Sequence, residues 1–101
     1  NFFKPTAVFV VFPHGIEFHA MNKLFGNPVK VFWDQLTAID YNTKLVGSGK
    51  HRSVVELLIF QVAKNTTYEF NLLAINHEKQ EQLYRIFREH GFKVRNRKSH
   101  T

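Results

Sequence analysis

Residues 29–39 read VKVFWDQLTAI, and two spacings of apolar side chains meet in this stretch. Val29, Val31 and Trp33 alternate with Lys30 and Phe32 in its first five residues. This two-residue period predicts a strand. Trp33, Leu36 and Ile39 then follow at intervals of three, which fits either a strand that bends or bulges after Trp33 or a single helical turn. We expect these three side chains to be part of the core.

Two further strands are predicted ahead of this stretch. Residues 7–12 (AVFVVF) are all apolar and rich in β-branched and aromatic residues, and Pro13 and Gly15 end them in a tight turn. In residues 16–20 (IEFHA) apolar and polar side chains alternate, so that one face points to the core. The two segments are predicted to pair as a hairpin.

A loop and two more strands are predicted after residue 41. Residues 42–52 contain two glycines and no sustained apolar period, which predicts a mobile loop, the longest of the domain. Residues 53–63 are long and mostly apolar, and they predict a strand with apolar side chains on both faces. After a hairpin turn at residues 64–67, the alternation over residues 68–72 predicts the last strand.

An amphipathic helix is predicted from about residue 77 to residue 90. Asn76 is a favourable N-cap residue, and Gly91 stands where helices commonly end. Leu83, Ile86 and Phe87 lie on one stripe of this helix. Burial of each large apolar side chain stabilises by about 1.5–3 kcal/mol, so we expect this stripe to attach the helix to the strands.

Length and composition predict a single domain, and the predicted strands followed by one helix place it in the α+β class, mainly β. The 101 residues, 44% of them hydrophobic, supply one core and leave no room for a second. The absence of cysteine excludes disulfides and thiol nucleophiles, and no apolar run approaches the ~20 residues that cross a bilayer. We expect a lead-in at residues 1–5, the domain at residues 6–92 and a basic tail at residues 93–101. The start at Asn1, without a signal peptide, predicts a piece of a longer chain.

Positive charge is concentrated in the predicted loop and tail. The chain carries 14 Lys and Arg against 8 Asp and Glu, a net charge of +6. Such side chains are suited to bind an anionic membrane surface or another polyanion. The alternative is that a short basic terminus is only a solvated end. The candidate binding residues are Lys44, Lys50, Arg52, Lys93, Arg95, Arg97 and Lys98.

No arrangement of residues predicts catalysis. The carboxylates fall mostly at outward or edge positions of the strands, where nothing would tune the pKa of a general acid or base. The six histidines have no metal-binding spacing, and no serine lies in a nucleophile elbow. We therefore expect no enzyme activity, no metal and no cofactor. Nucleic acid is not an expected partner either, because Phe32 beside Lys30 is the nearest approach to a basic and aromatic pattern.

Three pieces of the sequence together resemble the bacterial pleckstrin-homology (PH) domains. Residues 13–18 (PHGIEF) are similar to the family's G-I strand, residues 31–39 (VFWDQLTAI) to its W-x-x-I-x-x-I segment, and residues 78–91 to its closing helix. The resemblance covers residues 6–92. It implies a PH-like fold, a bent antiparallel β-barrel or sandwich that one C-terminal amphipathic helix closes.

The resemblance also implies a non-enzymatic interaction module, the cytoplasmic domain of a larger, membrane-anchored bacterial protein. Members that bind phosphoinositides carry Lys or Arg in the loop between the first two strands, but residues 13–15 contain neither, so we expect no headgroup site of that type. The leading hypothesis is a protein or peptide partner bound by strand addition along the sheet edge beside the helix. The alternative is an anionic membrane surface, or another polyanion, bound through the basic loop and tail. An exposed sheet edge also permits a homo-oligomer.

Overall fold

Two three-stranded antiparallel sheets and one C-terminal helix make up the part of the chain that the computed structural model describes, residues 9–22 and 27–96. The first sheet has the order β1-β2-β3 and the second the order β4-β5-β6. The elements are β1 Phe9–Phe12, β2 Gly15–Phe18, β3 Val29–Phe32, β4 Leu36–Val46, β5 Ser53–Val62, β6 Thr66–Asn71, a 3₁₀ turn Leu72–Ala74 and α1 His77–Glu89. The chain is therefore mainly β, as its sequence predicts.

The first sheet is built of three short strands that follow one another in sequence. β1 and β2 form the predicted hairpin, in which Phe12 pairs with Gly15. Gly15 also pairs with Phe32 of β3, and a Cβ atom at this position would collide with the carbonyl oxygen of Val31. Only a glycine therefore allows β3 to lie this close to β2.

A β-bulge at the start of β4 explains the three-residue spacing in the sequence. The register between β4 and β5 shifts between Leu36 and Ala38. In a regular strand, residues three apart point to opposite faces, but the extra residue turns Leu36 and Ile39 to the same side. Both side chains are buried, at 6% and 1% exposure. The structure thus has the bulge and not the helical turn.

β4 continues far beyond the point where the sequence predicts a loop. Residues 42–46 belong to the strand and pair with β5, so the loop predicted over residues 42–52 is wrong, and only residues 47–52 connect the two strands. Most side chains of residues 42–46 are exposed, which is why no apolar period marks them. The backbone ladder to the apolar strand β5 holds this segment extended, and this pairing overrides the local pattern.

Helix α1 has the predicted ends. The side chain of Asn76 accepts a hydrogen bond from the backbone N–H of Lys79 at 2.9 Å, which is N-cap geometry. Gly91 follows the last turn with a φ of 85°, the left-handed conformation that favours glycine. The helix therefore begins and ends on residues whose chemistry suits those positions.

The face that α1 buries is rotated slightly from the predicted one. Residues 80, 83, 84 and 87 form a continuous helical stripe, and Leu83, Tyr84 and Phe87 are buried within it. Ile86, which the sequence places in the core, is only half-buried. Tyr84 takes its place in the buried face because it lies three residues before Phe87.

The two sheets and the helix share one hydrophobic core around Phe60. The Phe60 ring lies 4.8 Å from that of Phe18 in the first sheet and 5.7 Å from that of Phe87 in α1, measured between ring centroids. All three side chains are at most 1% exposed. Trp33 packs against this core from its margin, with its ring stacked on His90 at 4.3 Å.

The barrel predicted from the PH-like resemblance is not closed. No ladder of hydrogen bonds joins the two sheets in the described residues. The edge of β6 that would have to pair is occupied, because the N–H of Met21 donates to the carbonyl of Glu69 at 2.7 Å and the side chain of Asn22 donates to the carbonyl of Thr67 at 2.8 Å. Met21 and Asn22, which follow β2, therefore occupy the edge of β6 where barrel closure would occur.

Within residues 9–22 and 27–96, no helix combines the length and the apolar character needed to cross a membrane.

Candidate functional site

The outer edge of β4 is covered in its first half by the segment that follows the helix. The N–H of Tyr41 donates to the carbonyl of Arg95 at 2.8 Å, and the N–H of Arg95 donates to the carbonyl of Ile39 at 2.9 Å. These two bonds form a parallel bridge between β4 and the chain around Arg95. The sheet edge beside the helix, where the sequence predicts strand addition, is thus occupied at this point by the protein's own chain.

An ion pair reinforces this bridge. The guanidinium group of Arg95 donates to both carboxylate oxygens of Asp40, with nitrogen to oxygen distances of 2.6 and 3.0 Å. Gln61 donates a further hydrogen bond to Asp40. The hydrogen bonds from Arg95 lower the pKa of Asp40 from its ordinary value, against the opposing effect of partial burial. Asp40 is therefore the charged anchor that holds the C-terminal segment on β4.

The second half of the same edge is free. Because N–H and C=O groups alternate sides along an antiparallel strand, those of Thr43 and Leu45 point away from β5, as those of Tyr41 do. The N–H of Thr43 is held at 2.9 Å by the side-chain oxygen of its neighbour Asn42. The other outward groups of this half have no backbone partner among the described residues. Among residues 9–22 and 27–96, nothing fills the strand position beside residues 42–46, which we call the free β4 edge.

A groove runs beside the free β4 edge. The chain leaves β4 after Arg95 by way of Asn96, which has a positive φ of 64°. This turn opens a volume of about 390 Å³ next to the strand. The groove is lined by Asp40, Tyr41, Asn42, Thr43, Ile59 and Asn96. It starts where the bridge of Arg95 stops, so an added segment would find both backbone partners and space for side chains.

The end of the β4–β5 hairpin exposes two aliphatic side chains that are direct partners in the ladder. Leu45 pairs with Val54, and their exposures of 60% and 56% are the largest of any big apolar residue described. They lie on the sheet face that carries Ile39 and Phe60 into the core. Between the buried and the exposed part, the hydroxyl of Tyr41 donates to the carboxylate of Glu56 at 3.0 Å.

The candidate basic residues do not form one patch. Lys44 lies on β4 rather than in a loop, and it makes an ion pair with Glu69 at 3.8 Å. Arg95 is held by Asp40, so the predicted basic tail begins with residues that still belong to the folded domain. Lys50 and Arg52 are exposed in the hairpin loop, and neither has an ion pair among the described residues.

Of the remaining tail candidates, Lys93 is exposed beside Val94, which packs against the core. Arg97 and Lys98 lie outside the described residues.

Phe32, the aromatic residue whose sequence context comes nearest to a base-stacking platform, packs against its neighbours. The rings of Phe12 and Phe32 lie on either side of His14, at 5.7 and 5.6 Å between centroids. The ammonium of Lys30 stands 5.0 Å from the centroid of the Phe12 ring. Phe12 and Phe32 are half-buried in this way. The geometry is that of a packed surface cluster.

The carboxylates of the second sheet contact basic, amide or hydroxyl groups rather than one another. Asp40 binds Arg95, Glu56 accepts from Tyr41, and Glu69 pairs with Lys44 at longer range. The described residues contain no group of three or more histidine and acidic side chains that could hold a metal ion.

Two features of this site were missed by sequence reasoning. The pair of Asp40 and Arg95 spans 55 residues of chain, and no local pattern connects them. The pair of Leu45 and Val54 could have been found, because continuing the pairing of β4 and β5 towards the glycines of residues 47 and 49 places the two side by side.

The features that the described residues bring together along β4 are a free strand edge, a groove and an exposed aliphatic pair. No protein-family model, no curated protein and no solved structure matches this chain. The function is therefore inferred from the geometry of β4 and its surroundings.

Proposed function

We propose that this chain is a non-enzymatic, PH-like interaction module that binds an extended segment of a protein partner as an additional strand on the free β4 edge. The observation that carries the proposal is that, in the part of the chain that the structure describes, backbone coverage of β4 stops at Tyr41 although the strand continues to Val46. An edge of this kind presents N–H and C=O groups, and another extended chain can form hydrogen bonds with them without a rearrangement of the sheet.

The protein's own chain supports this mode of binding. Arg95 already pairs with β4 through two backbone bonds, so the outer side of this strand accepts a neighbour at normal ladder distances. A partner strand placed after Asn96 would extend the same ladder towards the hairpin loop. Its backbone would supply affinity, and its alternate side chains would enter the groove lined by Asn42 and Ile59 and give selectivity.

The PH-like and cytoplasmic parts of the proposal have separate support. The bulge that turns Leu36 and Ile39 to one face, and the helix that packs on the same core, fit the segments that resemble bacterial PH domains. The two sheets without barrel closure are the point at which the chain departs from that expectation. A chain without cysteine fits a reducing compartment such as the cytoplasm.

The direct test uses a displayed library of short random peptides, selected against the complete chain. Selected peptides are then measured against two variants at one position. Thr43→Pro removes an outward N–H group, and it leaves the ladder to β5 intact because that N–H points away from β5. Thr43→Val keeps the N–H group and a β-branched side chain, and it is the matched control.

We expect peptides whose affinity falls at least about tenfold with Thr43→Pro and by less than about twofold with Thr43→Val. Backbone amide shifts on binding should cluster at residues 41–46, a readout that does not depend on how well the proline variant folds. A library that yields no binder, or binders that shift amides elsewhere, would overturn the proposal.

A further inference from the structure

The end of the β4–β5 hairpin combines exposed aliphatic surface with positive charge. Leu45 and Val54 lie side by side on one face of the hairpin, each more than half exposed. Val46, the next residue along β4, is half-buried. Val46 points to the opposite face, whereas Leu45 and Val54 continue the core face of the sheet past the part that the first sheet and α1 cover, so among the described residues these two side chains are exposed to water.

The sequence of the hairpin end carries charge of one sign, and Glu56, which follows Val54 by two residues on the same face, is engaged by the hydroxyl of Tyr41. No Asp or Glu occurs from residue 41 to residue 55, whereas Lys44, Lys50 and Arg52 lie within that span. Lys44 is paired with Glu69, so the two cations of the loop, Lys50 and Arg52, are the ones available to a ligand. We call Leu45, Val54, Lys50 and Arg52 together the hairpin-end surface.

We infer that the hairpin-end surface docks on an anionic lipid bilayer, with the aliphatic pair entering the interface and the two cations binding lipid phosphates and carboxylates. Surface helices and anchors at membranes use this same combination of aliphatic insertion and flanking Lys or Arg. The opposite charge of an anionic leaflet complements the acid-free hairpin end. This inference does not rest on the proposed peptide binding.

The size of the surface favours a bilayer over a folded protein as the occupant. A stable protein interface buries about 800 Å² on each partner, far more than two aliphatic side chains provide. A bilayer needs no shape complementarity and accepts a small apolar insertion that electrostatic attraction reinforces. The hairpin connection suits this approach, because Gly47 and Gly49 both have positive φ and neither carries a side chain that would keep the aliphatic pair from the interface.

Binding of the complete chain to vesicles tests this inference. One set of vesicles contains phosphatidylcholine with about 30 mol% phosphatidylserine, and the other contains phosphatidylcholine alone. Three variants are compared with the natural sequence. Lys50→Gln with Arg52→Gln removes the charges, Leu45→Ser with Val54→Ser removes the aliphatic pair, and Lys79→Gln removes an exposed cation of α1, outside the hairpin-end surface, as the matched control.

We expect binding to the anionic vesicles only. The double charge variant should weaken it about 25-fold, since each cation near an anionic leaflet contributes about fivefold. The double serine variant should weaken it about tenfold or more through the loss of apolar insertion. The Lys79→Gln control should bind within about threefold of the natural chain. Raising the salt from about 0.05 M to about 0.5 M should reduce binding, because the charges are exposed.

A tryptophan placed at the surface gives a second readout that does not depend on affinity. The variant carries Leu45→Trp as the probe and Trp33→Phe, which removes the only natural tryptophan of the sequence. Its fluorescence emission should shift to the blue when anionic vesicles are added. The inference fails if the chain does not bind the anionic vesicles, or if the emission does not move on binding. It also fails if the serine variant binds as well as the natural chain while the charge variant does not, because that result shows attraction by charge alone, without insertion of the aliphatic pair.

The same variants separate this inference from peptide binding. Thr43→Pro alters the backbone of the free β4 edge, and it should leave vesicle binding within about twofold. Conversely, the side-chain changes at Lys50 and Arg52 leave the outward backbone groups of β4 in place. Failure of one interaction therefore does not produce failure of the other.

Discussion

The two halves of the β4–β5 hairpin belong to one hydrogen-bonded ladder, but their side chains differ in exposure to solvent. Ile39 and Phe60 are paired in the first half and are 1% and 0% exposed, whereas Leu45 and Val54 are paired in the second half and are 60% and 56% exposed. All four side chains point to the same face. The two halves differ in what packs against this face. Phe18 and α1 pack on the first half, in the core around Phe60.

The backbone edge of β4 shows the same division. Arg95 covers the first half, and the second half carries the free β4 edge. Strand formation is thus a property of the pairing between β4 and β5, while burial and edge coverage depend on segments far away in sequence. A sheet can extend beyond its own core, and the extension is where other molecules gain access.

Removal of the central core side chain should produce the largest effect. Phe60→Ala leaves a cavity among the rings of Phe18 and Phe87, and it should lower the free energy of unfolding by about 3–5 kcal/mol. Urea unfolding followed by circular dichroism measures the loss. A decrease below about 1 kcal/mol would mean that the first half of the hairpin is not the centre of the core.

The boundary between the halves should give an intermediate effect. Tyr41→Phe removes the hydroxyl that donates to Glu56, and the half-buried carboxylate then loses a partner. We expect a loss of about 1 kcal/mol in the same unfolding experiment. Burial and the negative charge of Glu56 raise the pKa of Tyr41, so the bond should persist throughout the neutral range. An unchanged stability would show that the division between the halves does not depend on this contact.

Acid should release the C-terminal segment from the first half. The pKa of Asp40 is lower in the folded chain than the unfolded value of about 3.8. Its contribution to stability is therefore fully present above that unfolded value, and it is lost as the pH falls through the folded pKa. We expect the amides of Tyr41 and Arg95 to lose protection from hydrogen exchange below about pH 4, and not between pH 7 and about 5.

The variant Asp40→Asn keeps the size of the side chain and removes its titration. It should show the weakened bridge of Arg95 at neutral pH and no further change on acidification that can be assigned to this site. If exchange at Tyr41 has the same pH dependence in both proteins, the ion pair does not hold the segment.

The exposed pair should give the smallest effect on stability. Leu45→Ala and Val54→Ala each remove aliphatic atoms that contact water, and each should change the free energy of unfolding by no more than about 0.5 kcal/mol. Urea unfolding at two protein concentrations measures this. A loss above about 1.5 kcal/mol at the higher concentration would show that a second copy of the chain covers the hairpin end.

Local sequence patterns predicted the elements that possess an apolar face. The segments of β1 and β5 are continuous apolar runs, β2 and the capped helix α1 carry an apolar period, and each of these patterns predicts its element to within a few residues. The second half of β4 was missed because its exposed side chains, such as Asn42 and Lys44, carry no period. The sequence does not distinguish a bulge from a helical turn at Leu36, because only the register of β4 with β5 decides between them.

The candidate site was less predictable than the fold. The sequence makes its basic residues candidates because they lie in the predicted loop and tail. In the structure, Lys44 and Arg95 form ion pairs, whereas Lys50 and Arg52 are exposed in the hairpin loop. Which cation is engaged depends on acids brought near by tertiary structure. Closure of the barrel failed as a prediction for the same reason, since Met21 and Asn22 occupy the edge of β6.

The hydrogen bond from the N–H of Thr43 to the side chain of Asn42 also has a consequence for the protein at high concentration. Open strand edges of identical chains tend to stack on one another and grow into fibrils. A side-chain amide that occupies one edge donor has to be displaced before any such contact forms, and this competition disfavours stacking of the chain with itself. A chain lacking this carboxamide, such as Asn42→Ala, would retain its fold and would be expected to aggregate at a lower concentration.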